Sequence, residues 1–460
     1  MNAKSWSKRG IFVCSSAALL ALSACSSGGG ANGGNTAANI EQKNMSGSGS
    51  GGKQAITMSV VSTNRFLQQA EEKFEAANPD IDIQIKESHT VPQDGTGRSS
   101  IRGGYDPATI EKHVTTVNAE LMNGNASDII AVDTLAYSKY ADKGLLTDLT
   151  QYMSKLNAED YYMNVFDSLK YKDKLYTITP AVSTGLWFGN KERIEGMNLD
   201  PKAWTWEQFA EKMGELAKAG GDPAVQWMPT DMLLIDRVSA EAEKFINLSD
   251  KKASFDDKTF IDLLNQIKSF YDQKIFQEPQ MTGGVSKAVK IGEKLSRKEA
   301  FLPSVFMNIS SVTFGQMVFD QPQIFSPPKS GSAEGNSFKS TILLSINNKS
   351  EKKEAAWKFL QFLLSEEMQS SRELGGLPVN KKAIDGQVKE MEQMEGAPKP
   401  TPEDVEMTKG LLADLKRSGT IDPKIETIIK DETAPFFEGQ KSAEDAAKSI
   451  QNKVALYLEE

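Results

Sequence analysis

Ile56-Thr57-Met58-Ser59-Val60-Val61, then Phe66, Ala70, Phe74 and Ala77 at spacings of four and three, then Asn78-Pro79, then Ile81, Ile83 and Ile85 in alternation: this stretch decides the fold class. The first run is rich in β-branched residues and alternates loosely, which predicts a strand. The second puts apolar side chains on one face of a helix. Asn78-Pro79 ends that helix, because proline cannot continue it and disfavours helical geometry in the residue before it. The isoleucines then recur with the period of two that a half-buried strand needs. Strand, helix, strand is a β-α-β unit, for which a right-handed crossover is expected.

The same grammar runs on. Ile110 to Met122 is expected to be helical, closed by Gly124, and Asp128-Ile129-Ile130-Ala131-Val132 is a short buried strand ending at Asp133-Thr134. Thr205 caps a helix from Trp206, with Gln208 completing a capping box. Phe260 to Tyr271 is amphipathic, and Ser340 to Ile346 is a strand. Glu351 to Glu366 is helical with Ala355, Phe359 and Leu363 on one face, and Ala443 to Leu458 is helical too. Alternating strands and helices make an α/β protein. A chain of 460 residues exceeds one ordinary core, so two lobes are expected.

The N-terminus points to export. Lys4, Lys8 and Arg9 precede Ile11 to Leu22, an apolar or small stretch interrupted by Cys14, Ser15 and Ser16. It is too short for a membrane-spanning helix and has the layout of a secretory signal. Leu22-Ser23-Ala24-Cys25 resembles the bacterial lipobox, in which the cysteine receives a diacylglyceryl group and becomes the first mature residue. That makes 1–24 the signal and Cys25 the lipidation site. Ser26 to Lys53 is rich in Gly, Ser, Asn and Ala and too poor in large apolar groups to fold, so 25–55 is expected to be a tether. Random-coil scaling gives it a reach of about 30 Å. The expected location is the outer face of the cell membrane, and the Gly-rich tether points to a Gram-positive surface.

Charge and cysteine content narrow the partners. The net charge is −9, and loss of Lys4, Lys8 and Arg9 with the signal takes it to −12. That argues against nucleic acid and against broad adhesion to anionic membranes. The only cysteines are Cys14 and Cys25, so the exported part has no thiol for a disulfide or a zinc site. His89 and His113, the two histidines, are too far apart in sequence to share a helix turn as metal ligands. No nucleophile-elbow serine, phosphate-cradling loop or HExxH is present. No catalytic residue, metal or cofactor is therefore assigned. Paired Asp or Glu residues of a glycosidase stay open, because their separation is not legible in sequence.

Several stretches in order resemble the extracellular solute-binding proteins, family 1, of carbohydrate-type ABC importers. They are Phe74-Glu75-Ala76-Ala77-Asn78-Pro79-Asp80-Ile81, Met122 to Ile130, Tyr140 to Leu149, Lys174 to Pro180, Leu186 to Lys191, Trp204 to Phe209, Ile346 to Ser350 with Ala355 to Leu360, and Gly375 to Asn380. Gly189 departs from the pattern, where the family carries a bulkier residue, and Met281 to Gly335 matches poorly. The resemblance implies a two-lobed periplasmic-binding-protein-like (type II) fold with a hinge and an interlobe ligand cleft. Lobe 1 would hold 56–180 and 341–377, and lobe 2 would hold 181–340 and 378–460. It also implies a monomer that takes a small-molecule ligand, an oligosaccharide, by lobe closure and docks on ABC permease subunits. An exported glycosidase, or a solute sensor for a membrane receptor kinase, is the alternative.

Candidate ligand-binding residues follow from strand ends and from the resemblance. Ser62, Thr63 and Asn64 end the first strand, and Asp133 and Thr134 end another, where ligands of such sheets collect. The same residues also serve as helix caps. Trp187 lies just past the implied crossing strand and divides evenly between cleft and core. Trp227 and Asp231 sit in an irregular polar stretch. Asn308, Gly376 and Leu377 are placed in the cleft by the resemblance. Trp204, Trp206 and Trp357 are assigned to packing.

Overall fold

A computed structural model of the chain describes residues 52–89, 107–226, 228–278, 297–331, 334–393 and 399–460. The signal, Cys25, most of the tether and Trp227 lie outside these. The opening β-α-β unit is present: β1 (Gln54–Val60), α1 (Arg65–Ala77) and β2 (Ile81–Glu87), with β1 and β2 parallel. The strand begins at Gln54, so the last two residues of the expected tether are folded. Asn64 caps α1 by accepting from the Leu67 amide, and Asn78 ends it. The α1 positions chosen by period, Phe66, Ala70 and Phe74, are buried.

Next come α2 (Pro107–Asn123), β3 (Ile129–Ala131) and α3 (Tyr137–Asp142). The long β4 (Ala181–Asn190) follows, then α4 (Trp206–Lys218), α5 (Thr230–Ala240) and α6 (Lys258–Asp272). The chain continues through β5 (Phe301–Phe306), α7 (Ser311–Val318), β6 (Pro322–Phe325), β7 (Asn336–Ser340), β8 (Leu344–Ile346) and α8 (Lys353–Leu363). It ends with β9 (Leu377–Pro378), β10 (Leu415–Ser418), α9 (Pro423–Phe437) and α10 (Ala443–Glu459).

Two sheets organise these elements. One has the order β8-β3-β1-β2, and the other has β6-β4-β7-β10 with β5 and β9 also on β4. The expected strand over Ser340 to Ile346 is divided between them. β7 pairs with β4 and β10, the chain turns at 341–343, and β8 pairs antiparallel with β3. Asp128 locks the first sheet together. It accepts from the Thr57 amide at 2.8 Å and from the Ser350 hydroxyl at 2.7 Å, with Lys352 Nζ 3.6 Å away. Burial pushes its carboxyl up, but these donors outweigh burial and hold it below the usual carboxylate range.

Two apolar cores are present. The first gathers Ile56, Phe74, Ile130, Leu344 and Phe359 around the first sheet. The second gathers Trp204, Phe209, Phe260, Phe301 and Ile450. Val379, Ile384, Leu412 and Leu415 belong to the first core, and the chain enters the second from Ile421. One face of β4 and β5, through Leu186, Phe188 and Phe306, also faces the first core.

Candidate functional site

The first wall is the carboxyl edge of the β1 and β3 strands. Ser59 pairs with Ile130 in parallel register; Ser62 and Thr63 follow the end of β1, and Asp133 and Thr134 follow the end of the neighbouring β3. The Thr63 amide donates to Glu87 Oε1 at 2.6 Å, which fixes the end of β1 against β2. The Thr63 and Thr134 hydroxyls are both buried and make no hydrogen bond. Asn64 is exposed, and its side-chain oxygen is occupied as the α1 cap. Ser62 donates to the Thr63 carbonyl at 3.2 Å.

Asp133 keeps some surface contact as a residue, but its carboxyl end is enclosed. Burial pushes the carboxyl up to about 6, against hydrogen bonds from its own amide and that of Leu343. It lines a cavity of about 50 Å³ with Val132, Tyr137 and Leu343 on one side and Ile421 and Asp422 on the other. Asp133 thus lies where residues of the first core meet the segment that enters the second, beside the 341–343 crossing.

Next to the crossings, β4, β5 and β7 carry exposed residues on the sheet face opposite the one that meets the first core. Gly185 pairs with Val305, which is 56 % exposed, and Ser183 pairs with Lys339. Lys339 Nζ lies 3.1 Å from Asp236. Met307, just beyond β5, is also exposed. Sequence reading missed Ser183, Val305, Met307 and Lys339, because only the strand pairing shows which face they occupy.

The crossings form the hinge. The Ala181 carbonyl accepts from the Thr341 amide at 3.0 Å, the Thr341 hydroxyl at 3.1 Å and the Thr179 hydroxyl at 2.7 Å. Ile178 and Leu344 exchange two backbone bonds of 2.9 Å.

Several expected ligand residues have other duties. Trp187 is 5 % exposed, and its ring meets Trp204, Trp206, Phe209, Phe276 and Phe301 at centroid distances of 5.6 to 6.5 Å. It is the hub of the second core. Leu377 is fully buried and pairs with Val182. Gly376 is a hinge contact: a Cβ there would lie 2.7 Å from Thr341 and 2.8 Å from Ala181. Asn308 is exposed and accepts from the Ser311 amide at 3.1 Å, at the start of α7. Asp231 is exposed in the first turn of α5, 3.9 Å from Lys430.

One serine–histidine pair exists. Ser88 Oγ and His113 Nδ1 are 2.7 Å apart at the end of β2. His113 is fully buried, burial lowers its pKa, and no side-chain carboxylate orients its Nε2. Among the described residues, then, no third side chain orients this pair as in a nucleophilic triad. Among the described residues no group of three or more His, Cys, Asp or Glu side chains converges on a metal site, and no helix is long and apolar enough to cross a membrane. The described residues thus offer strand-end hydroxyls on the first sheet and exposed apolar and polar groups on the second, on either side of the crossings.

Comparison with known proteins agrees. The model of the family described as bacterial extracellular solute-binding protein matches residues 104–399. Among solved structures, the chain is similar to an extracellular solute-binding protein family 1 member from Alicyclobacillus acidocaldarius. The identity is 17 %, the match covers 90 % of this chain and 100 % of that one, and the TM-score is 0.59. An ABC substrate-binding protein from Listeria monocytogenes in complex with cycloalternan matches at 19 % identity over 88 % and 99 % of the two chains, with a TM-score of 0.58. A periplasmic oligogalacturonide binding protein from Yersinia enterocolitica matches at 17 % over 88 % and 99 %, with a TM-score of 0.60. These likenesses establish the two-lobed type II α/β fold expected from sequence.

Proposed function

The chain belongs to the family of bacterial extracellular solute-binding proteins, and from that premise we propose that it is the receptor of an ABC importer. It is held to the outer face of the membrane by a lipid on Cys25, captures an oligosaccharide between its lobes and delivers it to permease subunits. The family is one of solute-binding proteins of transport, which fits a site built to bind rather than to transform.

The observation that carries the ligand class is the pair of buried, unpartnered hydroxyls of Thr63 and Thr134 at one strand edge. Leaving such a group unsatisfied costs about 1–3 kcal/mol. A polyhydroxylated ligand offers both donors and acceptors to such groups. Exposed Val305 and Met307 on the other wall offer apolar contact to ring faces. Ligand seated on the first wall gains the second wall only when the lobes approach, and that difference in affinity drives closure. The neighbours named for cycloalternan and oligogalacturonide support the saccharide class.

The test is a thermal-shift titration of the purified protein against mono- and oligosaccharides, with mass spectrometry of the recovered ligand. An oligosaccharide at 100 times its dissociation constant adds about 2.7 kcal/mol, a rise of several degrees, and is recovered intact. A Thr63→Ala, Thr134→Val double variant shows a smaller shift. A cleaved ligand makes the protein a glycosidase, and no shift across the panel removes the saccharide reading.

A further inference from the structure

The lobes touch at a place that uses none of the ligand wall's hydroxyls. Lys139, on α3 of the first lobe, donates from Nζ to the Tyr457 carbonyl of α10 at 2.6 Å. The same ammonium lies 3.6 Å from the centroid of the Tyr457 ring. The Tyr457 hydroxyl in turn donates to Asp422 Oδ2 at 2.8 Å, at the start of α9. A second contact runs beside it. The Tyr171 hydroxyl sits 3.0 Å from Asp142 Oδ2 and 3.4 Å from the Leu248 carbonyl, and Lys172 Nζ lies 2.6 Å from Asp142.

Tyr140, Leu169 and Leu343 near these groups belong to the first core, while Tyr457 and Ile421 belong to the second. We infer that Lys139 and the last turn of α10 form a clasp that sets the resting angle of the two lobes without ligand.

Three physical points support this. First, the clasp adjoins the pivot. The small cavity beneath it is closed on one side by Leu343, in the 341–343 crossing, and on the other by Ile421 and Asp422. A contact on a short lever arm converts a small local displacement into a large lobe rotation. Second, it is directional. The ammonium satisfies a backbone carbonyl and an aromatic face at once, and such a charge-assisted contact weakens steeply when the lobes turn. Third, acidic groups near the last turn of α10 partly offset the cost of burying the cation. Lys139 is partly buried, which lowers its pKa, while Asp422 and Glu460 act against that lowering and Lys143 and Lys251 add to it. A cation held between lobes opposes any rotation that strips its partners, so it biases the population of lobe angles before ligand arrives.

The inference rests on the two-lobed receptor reading but not on the ligand class, because its readout is taken without sugar. Spin labels at Glu72→Cys in the first lobe and Lys258→Cys in the second report the interlobe distance of the protein. Lys139→Met broadens that distance distribution relative to the parent. Lys139→Arg, which keeps a cation for the carbonyl and the ring, restores it. Lys143→Met, an exposed lysine one turn along, leaves it unchanged. Circular dichroism of each variant reports folding separately. A Lys139→Met distribution as narrow as the parent's, in a folded protein, overturns the clasp, and so does equal broadening by Lys143→Met.

Discussion

Asp133 is a residue whose place at a strand end is written locally and whose surroundings are not. The strand end was legible, because a short β-branched run stops at Asp133-Thr134. The direction of the carboxyl was not, since it depends on the Leu343 amide and on the far side of a cavity closed by Ile421. Its pKa is raised from 3.8 to about 6 in the folded protein. A raised carboxyl favours the folded state fully below the unfolded pKa, and that contribution is lost as pH rises from about 4 through 6. The loss amounts to at most about 3 kcal/mol. Asp133→Asn should therefore melt higher than the parent at pH 7, with the difference vanishing near pH 4. Thermal melts across that window without ligand check it, and an unchanged or lower melting point at pH 7 sinks the assignment. Gly189, the departure from the family pattern, has an equally local cause. A Cβ there would lie 2.7 Å from Ile194 and 2.8 Å from the Phe325 ring, so those side chains leave no room for a larger residue.

At the scale of elements, the readings that held rest on neighbours a few residues apart. Thr205 Oγ1 accepts from the Gln208 amide at 3.2 Å, and Gln208 Oε1 accepts from the Thr205 amide at 2.9 Å, the capping box read from Thr205 and Gln208 alone. Thr205→Ala should cost about 1 kcal/mol, and Thr205→Ser nearly nothing. Denaturant melts of both variants decide it, and equal stability of the alanine variant and the parent would show that the cap is idle. The reading that failed, one strand over Ser340 to Ile346, failed for a non-local reason. Thr341-Ile342-Leu343-Leu344-Ser345-Ile346 is one continuous β-branched and apolar run, and only the separate partners of β7 and β8, β4 and β3, show that the chain changes sheets within it. Trp187 is the same case on β4: strand alternation does not tell which face meets a core until Trp204, Phe209 and Phe301 are in place.

For the whole molecule, the proposed receptor needs its anchor as well as its lobes. Cys25→Ser should move the protein from the membrane fraction to the medium and abolish incorporation of labelled palmitate. Retention of the variant on the membrane would remove the lipid-anchor reading. The α/β class, the opening β-α-β unit, several later helices and the Thr205 cap were legible in sequence alone, because each is written in periodicity or in contacts within about one helical turn. The resemblance extended that to the two-lobed fold, which the family match then established. Tertiary structure alone decided which strand-end groups are enclosed, which residues meet at the crossings and that Trp187 is core. It also decided that Lys139 meets Tyr457, 318 residues away. The reason is physical. Burial, pKa and hinge contacts depend on residues that become neighbours only when two sheets and two cores have assembled, and no local pattern encodes that distance.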